Sequence, residues 1–175
     1  MSLAFQEMQD MTVLMVYHFN AMRLPAISYL LTYSPSSERN EFDVSACEEI
    51  IQEKFPEVKI ALPKTAADQL HMEARIFQEE KHFIKNKFNI LEPLDGKFLD
   101  SKLIDLLFVP LLAFNLQGYR VGYGKGYYDL YLAGCRSDAI KIGFSFFDPL
   151  ESIGDINQFD VPLNFCITPT RIYEF

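Results

Sequence analysis

One stretch of the sequence, Leu103-Ile104-Asp105-Leu106-Leu107-Phe108-Val109, is almost continuously apolar and ends at Pro110. A continuous apolar run predicts a strand of a parallel sheet, because both faces of such a strand are covered. A glycine-rich turn follows, and then residues 127–133 with the pattern of a helix. The order strand, turn, helix is the building unit of an α/β fold.

The segments around this strand repeat the alternation. Helices are predicted for residues 4–20, which carry Met and Phe at three- and four-residue spacing, and for residues 45–54 with Asp43 as the N-cap. Further strands are predicted for residues 26–31, 58–62 (ended by Pro63) and 139–144, with residues 72–77 as a strand at the sheet edge. The sequence contains no repeat or Gly/Ser linker. It therefore predicts an α/β, layered, Rossmann-like fold: a mostly parallel sheet flanked by helices, in a single domain over residues 1–175.

Composition limits the classes of partner. Sixteen Lys and Arg against 24 Asp and Glu give a net charge of −8 over 175 residues. This disfavours nucleic acid and membrane surfaces as partners, since both are anionic and attract basic protein surfaces. A local pocket can still bind a small anion. Three widely spaced cysteines, no signal peptide and no long apolar run indicate a cytoplasmic protein.

The densest motif lies between the predicted strand and the last predicted helix, at Gly118-Tyr119-Arg120-Val121-Gly122-Tyr123-Gly124-Lys125-Gly126-Tyr127-Tyr128-Asp129. Its glycines let backbone N–H groups approach an anion, and Arg120 and Lys125 add positive charge. The spacing is neither G-x-G-x-x-G nor the P-loop pattern. The alternative to an anion site is a tight loop in which the glycines only allow the chain to turn. Tyr127 and Tyr128 are either core aromatics or walls for a flat ring, and Asp129 either caps the helix or holds Mg²⁺.

This motif resembles the 5-formyltetrahydrofolate cyclo-ligase family, which shows V-P-G-L-A-F-D followed by G-Y-R-L-G-x-G-x-G-Y-Y-D. Here the corresponding segments are residues 105–115 and 118–129. Shorter matches are Glu41-Phe42-Asp43, Ala61-Leu62-Pro63, Glu92-Pro93 and Asp160-Val161-Pro162-Leu163-Asn164, so that the resemblance covers roughly residues 26 to 170.

The resemblance implies a fold and a reaction. The fold is an α/β layered sheet. The reaction is the ATP- and Mg²⁺-dependent conversion of 5-formyltetrahydrofolate to 5,10-methenyltetrahydrofolate, with release of ADP and phosphate. The formyl oxygen is phosphorylated, and N10 attacks the resulting iminium phosphate before phosphate leaves. Catalysis of this kind depends mainly on positioning and charge neutralisation.

The resemblance also assigns residues. The ATP-binding set is Arg120, Val121, Gly122, Tyr123, Gly124, Lys125, Gly126, Tyr127 and Tyr128, with Lys125 and Arg120 as catalytic cations. The substrate-binding set is Glu41, Met72, Glu92, Tyr123, Tyr127 and Tyr128. The metal ligands are Asp129 and Asn164. Each substrate-binding assignment has an alternative. Glu41 could be a solvated charge before a helix, and Glu38 is close enough in sequence to take its role. Met72 could pack in the core, and Glu92 could cap a turn.

Three departures from the family pattern favour an alternative, a catalytically weakened folate- or nucleotide-binding relative. No Lys or Arg precedes Arg23, where family members usually carry a basic helix. Met1-Ser2-Leu3 resembles an expression leader, so we expect the natural N-terminus to differ. Asn115 and Asn164 stand where the family usually has Asp. The expected partner is a small folate, with or without a polyglutamate tail. The protein is expected to be a monomer.

Overall fold

The structure is a computed structural model that describes residues 5–36, 40–66, 68, 70–76, 83–86, 91–124 and 126–175. Its helices within these ranges are α1 (Phe5–Ala21), α2 (Ser45–Lys54) and α3 (Tyr127–Ala133). Its strands are β1 (Tyr29–Leu31), β2 (Lys59–Thr65), β3 (Met72–Ile76), β4 (Phe83–Lys85), β5 (Leu91–Pro93), β6 (Lys97–Leu99), β7 (Leu106–Val109), β8 (Ala113–Phe114), β9 (Arg120–Val121), β10 (Ile140–Phe144), β11 (Phe165–Ile167) and β12 (Ile172–Glu174).

The main sheet has eight strands in the described ranges, in the order β12-β11-β10-β7-β1-β2-β3-β6. The five strands from β11 to β2 are parallel to one another, while β12, β3 and β6 pair antiparallel at the margins. Two short hairpin sheets, β4-β5 and β8-β9, lie apart from it. The predicted α/β class and mostly parallel sheet are confirmed.

The central strand β7 shows why this sequence needs two covering layers. All four of its residues are buried. Leu106 and Phe108 pack in one hydrophobic cluster with residues of α1 and α2, such as Phe19. Leu107 and Val109 pack in a second cluster, which includes residues of α3. The continuous apolar run predicted this arrangement, since alternate residues of a strand face opposite layers.

Several predicted boundaries move for local reasons. The predicted strand 26–31 begins only at Tyr29, because the Asp105 carboxylate accepts hydrogen bonds from the backbone of Ser28 and Tyr29. The strand that was expected to end at Pro63 continues to Thr65. The pairing of β2 with β1 reaches only Ala61, whereas Pro63 pairs with β3 on the other side. Its missing N–H therefore breaks no ladder bond to β1.

Two other local predictions were wrong. The strand at residues 72–76 was expected at the sheet edge, but β6 pairs with it and takes that position. The N-cap of α2 is Val44 rather than Asp43. Asp43 still stabilises the helix start, because its carboxylate accepts the Ser45 backbone N–H at 3.0 Å.

Candidate active site

A cavity of about 420 Å³ opens beside the carboxyl ends of β1, β2 and β7. Tyr33 and Ser34 follow β1, Lys64 and Thr65 complete β2, and Pro110 follows β7, and all five line the cavity. Ligands of open α/β sheets characteristically bind outside the carboxyl ends of the strands. The fold therefore places the cavity where a ligand site is expected.

The glycine loop forms one wall of this cavity. All of its described residues from Arg120 to Asp129 line the space. Gly124 and Gly126 have φ of +77° and +68°, a conformation that L-residues with a side chain rarely adopt. A Cβ built at Gly122, Gly124 or Gly126 meets no atom within 4 Å, so the backbone here faces open space. This surface can receive a bulky group against its backbone.

Arg120 is held in an ion pair rather than left free. Its Nη2 donates to Asp129 Oδ1 at 2.9 Å and its Nη1 donates to the Val161 carbonyl at 2.7 Å. The Arg120 side chain is only 4% exposed, whereas Asp129 is 28% exposed. Asp129 Oδ1 also accepts the backbone N–H of Val161 at 3.1 Å. The pair ties the glycine loop and α3 to the segment before β11.

Glu41 faces the glycine loop across the cavity. Its Oε1 accepts a hydrogen bond from the Tyr123 hydroxyl, and its Oε2 accepts the Ser36 backbone N–H at 2.7 Å. The same carboxylate, together with Tyr33, lines a neighbouring cavity of about 280 Å³ that also contains Phe144. Glu41 is therefore an anchored carboxylate on the boundary of two cavities, rather than a solvated charge before a helix.

Glu92 of β5 and Met72 of β3 form another part of the cavity wall. Glu92 is only 8% exposed, and its Oε1 accepts the Thr65 backbone N–H at 3.0 Å and the Asn86 Nδ2–H at 2.7 Å. Met72 is buried in the second hydrophobic cluster and also lines the cavity. Both alternatives considered for Met72 are thus compatible with its place: it packs in the core and borders the site.

Tyr128 differs from the other cavity tyrosines. The Tyr33 hydroxyl donates to the Phe42 carbonyl at 2.9 Å, and that of Tyr123 donates to Glu41. The Tyr128 hydroxyl is buried without a hydrogen-bond partner among the described residues. Burial raises the pKa of Tyr128 and the Glu41 carboxylate raises it further, although Arg120 lowers it. The phenol is therefore protonated at neutral pH and can act as a donor.

The chain matches a known protein family over most of its length. The model of the 5-formyltetrahydrofolate cyclo-ligase family matches residues 41–169, well over half of the chain. The chain belongs to this family. The match includes Glu41, Met72, Glu92 and the whole glycine loop. The family resemblance inferred from the motifs is thereby confirmed.

Individual cyclo-ligase relatives are similar over part of their length. The 5-formyltetrahydrofolate cyclo-ligase of Mycoplasma genitalium is 36% identical over 86 residues, covering 45% of this chain and 52% of the relative. The mouse 5-formyltetrahydrofolate cyclo-ligase is 36% identical over 96 residues, covering 50% of this chain and 47% of the relative. The chain thus spans about half the length of the curated relatives it matches.

Two solved methenyltetrahydrofolate synthetases share the fold. The Mycoplasma pneumoniae protein superposes with a TM-score of 0.74 at 24% identity, covering 96% of this chain and 90% of that one. The Aquifex aeolicus protein gives a TM-score of 0.75 at 23% identity, covering 98% of this chain and 84% of that one. The chain therefore shares its α/β fold with these two proteins over nearly its whole length.

Of the two predicted metal ligands, Asp129 lines the cavity and Asn164 is not among its described lining residues. Asp129 lines the cavity at the carboxyl ends of the strands. Asn164 precedes β11 at the opposite end of the sheet, where its Oδ1 accepts the backbone N–H of Lys141, the second residue of β10, at 2.9 Å. Asn164 therefore links the starts of β10 and β11, and its role as a metal ligand stays a prediction.

Asn115, another departure from the cyclo-ligase pattern, has a structural role in this chain. It is 1% exposed, and its Oδ1 accepts the backbone N–H groups of Gln117 and Tyr119 at 3.1 and 3.0 Å. Two backbone donors need only an acceptor oxygen, which an amide supplies as well as a carboxylate does. The substitution is therefore compatible with the turn that leads into β9.

Part of the cavity wall has no recognisable pattern in the sequence. Ile153, Asp155 and Asn157 lie in an irregular segment that no local pattern marked, yet they line the cavity together with Asp160. Asp160 accepts the Asn157 backbone N–H at 2.9 Å. Among the described residues, no group of three His, Cys, Asp or Glu side chains has the arrangement of a metal site. Lys125 and Glu38 fall outside the described residues, and their predicted roles stay predictions.

Positive charge is scarce in the described part of the cavity lining. The described lining contains five carboxylates, those of Glu41, Glu92, Asp129, Asp155 and Asp160, and two cations, Lys64 and Arg120. Arg120 is paired with Asp129, and Lys64 Nζ donates to the Leu94 carbonyl. The described part of the cavity is thus acidic, which favours an anion that binds together with a divalent cation.

In the described residues, no helix is long and apolar enough to cross a bilayer.

Proposed function

We propose that the protein converts 5-formyltetrahydrofolate to 5,10-methenyltetrahydrofolate in an ATP- and Mg²⁺-dependent reaction that releases ADP and phosphate. The observation that supports this most strongly is the single cavity at which separate parts of the chain meet. It joins the glycine loop to Glu41, Met72 and Glu92, which lie far apart in sequence. Family membership selects the reaction for which such a site is suited.

The residues of the cavity fit the requirements of phosphoryl transfer, in which positioning and charge neutralisation dominate. The open backbone at Gly122, Gly124 and Gly126 leaves room for phosphates, and Lys125 follows Gly124 in sequence. When bound, ATP supplies the phosphoryl group that activates the formyl oxygen. In this proposal Arg120 acts mainly by fixing the loop through its ion pair, and it contributes less free charge than the motif alone suggested.

The acidic wall fits Mg²⁺ bound together with phosphates. Mg²⁺ usually takes one or two carboxylates and completes its shell with phosphate oxygens and water, so it needs no three-residue cluster. Asp129 Oδ2 accepts no hydrogen bond from the described residues, since the bonds of Asp129 all go to Oδ1. Asp155 and Asp160 lie on the same cavity wall. Asp129 would hold the ion, with one of these two as the second carboxylate in place of Asn164.

The proposal is tested by mixing purified protein with 5-formyltetrahydrofolate and Mg-ATP and following the near-ultraviolet absorbance of the methenyl product. We expect absorbance to grow with protein concentration and to require both ATP and Mg²⁺. Lys125→Ala should weaken ATP binding far more than folate binding, whereas Lys102→Ala, outside the cavity, should change neither. No product under any of these conditions would refute the enzymatic reaction. Equal losses for ATP and folate in Lys125→Ala would mean that the loop is misassigned.

A second candidate function is a folate- or nucleotide-binding protein with weakened catalysis. The observation that favours it is that Arg120 donates to Asp129 and to the Val161 carbonyl, so that this cation is already paired within the protein. Calorimetric titration separates the two functions. Folate binding without product would support the binder, and a protein without heat or thermal shift for either ligand would exclude both.

The proposal includes three features of the protein in the cell: a cytoplasmic location, a monomeric state and a small folate, with or without polyglutamate, as the partner. Support for the first comes from the cysteines, since Cys47, Cys135 and Cys166 are all free thiols. Free thiols are typical of a reducing compartment. Size-exclusion chromatography with light scattering checks the monomer, and titration with mono- and polyglutamylated folates checks the ligand.

A further inference from the structure

The turn between β8 and β9 contains Gly118, and Phe175 occupies the space that a side chain at Gly118 would need. A Cβ built on Gly118 lies 2.8 Å from both Cγ and Cδ2 of Phe175 and 3.0 Å from its Cβ. Gly118 also has a φ of +81°, which favours glycine. The aromatic ring of Phe175 therefore packs directly against the backbone of the turn that leads into the glycine loop.

Phe175 is held in this position from two sides. It follows β12, and its backbone N–H donates to the Asn164 carbonyl at 3.0 Å, which continues the pairing of β12 with β11. Its ring lies 6.2 Å from the ring of Phe114 in β8, with the two planes inclined by 64°. Phe114 is fully buried in the second hydrophobic cluster, against which Phe175 packs. The edge of the main sheet and β8 thus fix the ring against Gly118.

Two hydrogen bonds join the turn and β9 to the segment that precedes β11. The Gly118 carbonyl accepts the Leu163 backbone N–H at 2.9 Å. Arg120, the first residue of β9, donates from Nη1 to the Val161 carbonyl at 2.7 Å. Arg120 also lines the cavity at the start of the glycine loop. A displacement of Gly118 from this segment would therefore reach the cavity wall two residues further along the chain.

We propose that Phe175 is a positioning residue for the nucleotide. By packing on Gly118 it holds β9, and with β9 the beginning of the glycine loop, where the backbone N–H groups of the loop can bind phosphates. Phe175 lies outside residues 41–169, which match the family model, and it is not among the described lining residues of the cavity. Binding groups must be held within about 0.5 Å of their productive geometry, and the residues behind them supply this support. This inference rests on the proposed function, because it takes ATP as the ligand of the loop.

Removing the ring should loosen the turn without breaking its hydrogen bonds. In Phe175→Ala the Gly118 carbonyl keeps the Leu163 N–H as its donor, but the turn loses the side chain that packs on its backbone. Binding of nucleotide must then order the loop, and this ordering lowers the affinity. Glu41, Met72 and Glu92 lie on other elements, so folate binding should change less.

The test measures the dissociation constant of ADP in the presence of Mg²⁺ by calorimetry, in the wild type, in Phe175→Ala and in Tyr173→Ala. Tyr173 is a matched control, because its ring also packs on Phe114, with the ring centroids 5.3 Å apart. The three atoms nearest to a Cβ on Gly118 all belong to Phe175 and none to Tyr173. Urea unfolding of each protein gives conditions in which all three are folded. The KM values for ATP and for 5-formyltetrahydrofolate are compared under the same conditions.

We expect Phe175→Ala to weaken ADP binding and to raise the KM for ATP, each by about tenfold, with little change in kcat. Tyr173→Ala should change neither quantity. Unchanged ADP binding in Phe175→Ala would overturn the inference. Equal losses in the two variants would also overturn it, because they would reflect a general loss of packing. If Phe175→Ala does not fold, Phe175→Leu is compared with Tyr173→Leu by the same measurements.

The same experiment separates this inference from the proposed function. A wild type that binds ADP without forming the methenyl product would refute the proposed reaction alone, since the comparison of ADP affinities stays valid. A wild type that forms the product, with equal ADP affinity in Phe175→Ala, would overturn this inference alone. A wild type that neither binds ADP nor forms the product would overturn both.

Discussion

Removing the carboxylate of Asp129 should leave Arg120 as an uncompensated buried charge. The Arg120 side chain is 4% exposed, and without Asp129 its one remaining partner among the described residues is the Val161 carbonyl. Breaking a buried ion pair by removing one partner typically costs about 3–5 kcal/mol. We therefore expect Asp129→Ala to lower the free energy of unfolding by an amount in this range.

The reverse deletion should cost less. In Arg120→Met the Asp129 carboxylate is 28% exposed and can be hydrated, and it keeps the hydrogen bond from the Val161 N–H. The loss is then close to that of a charge-assisted hydrogen bond, about 1.5–3 kcal/mol. The double variant Asp129→Ala/Arg120→Met contains no buried unpaired charge, so it should be more stable than Asp129→Ala alone.

The assay is urea unfolding followed by far-ultraviolet circular dichroism, without nucleotide and with EDTA, so that ligand binding does not contribute. Equal m-values across the four proteins are required before their free energies are compared. A double variant less stable than Asp129→Ala would refute the reasoning, because it would show that Arg120 bears no penalty when its partner is removed. So would a loss below about 1 kcal/mol for Asp129→Ala, the size expected of a surface pair.

Three further predictions concern the loop, the Glu92 anchor and alkaline pH. Gly124→Ala places a side chain at a φ of +77°, which should cost about 1 kcal/mol and lower the melting temperature. Gly122 has an ordinary φ, so Gly122→Ala should not lower the melting temperature. Equal melting temperatures for the two variants would contradict this prediction. Glu92→Ala should lose about 2–4 kcal/mol in urea unfolding, because it removes the acceptor of both the Thr65 backbone N–H and the Thr65 hydroxyl. Glu92→Gln keeps an acceptor oxygen and should lose less, and two equal losses would show that the acceptor is unimportant. Burial raises the pKa of Cys166 and of Tyr128, so the unfolded chain releases these protons first. The free energy of unfolding should therefore change little between about pH 7 and 8 and fall between about pH 9 and 11, as unfolded Cys and Tyr titrate, and a flat curve from about pH 9 to 11 would be the contrary result.

The order of the main elements could be predicted from the sequence because it depends on local patterns. The apolar run ending at Val109 is buried on both faces, and the helix predicted for residues 127–133 is α3. The short strands β8, β9, β11 and β12 were not predicted. At two or three residues each, they are too short to show a periodicity, and they form because distant partners supply their hydrogen bonds.

At the candidate site, too, some features of the glycine loop and its neighbours follow from the local sequence and others depend on the tertiary structure. The sequence by itself determined the family and the glycine-rich turn, since these depend on residue type and spacing. Only the tertiary structure decided which charges are free. It pairs Arg120 with Asp129 and places Asn164 at the far end of the sheet, because hydrogen-bond partners and burial depend on chain segments that lie far apart in sequence. It also leaves the Tyr128 hydroxyl buried without a partner among the described residues, which no local pattern could reveal.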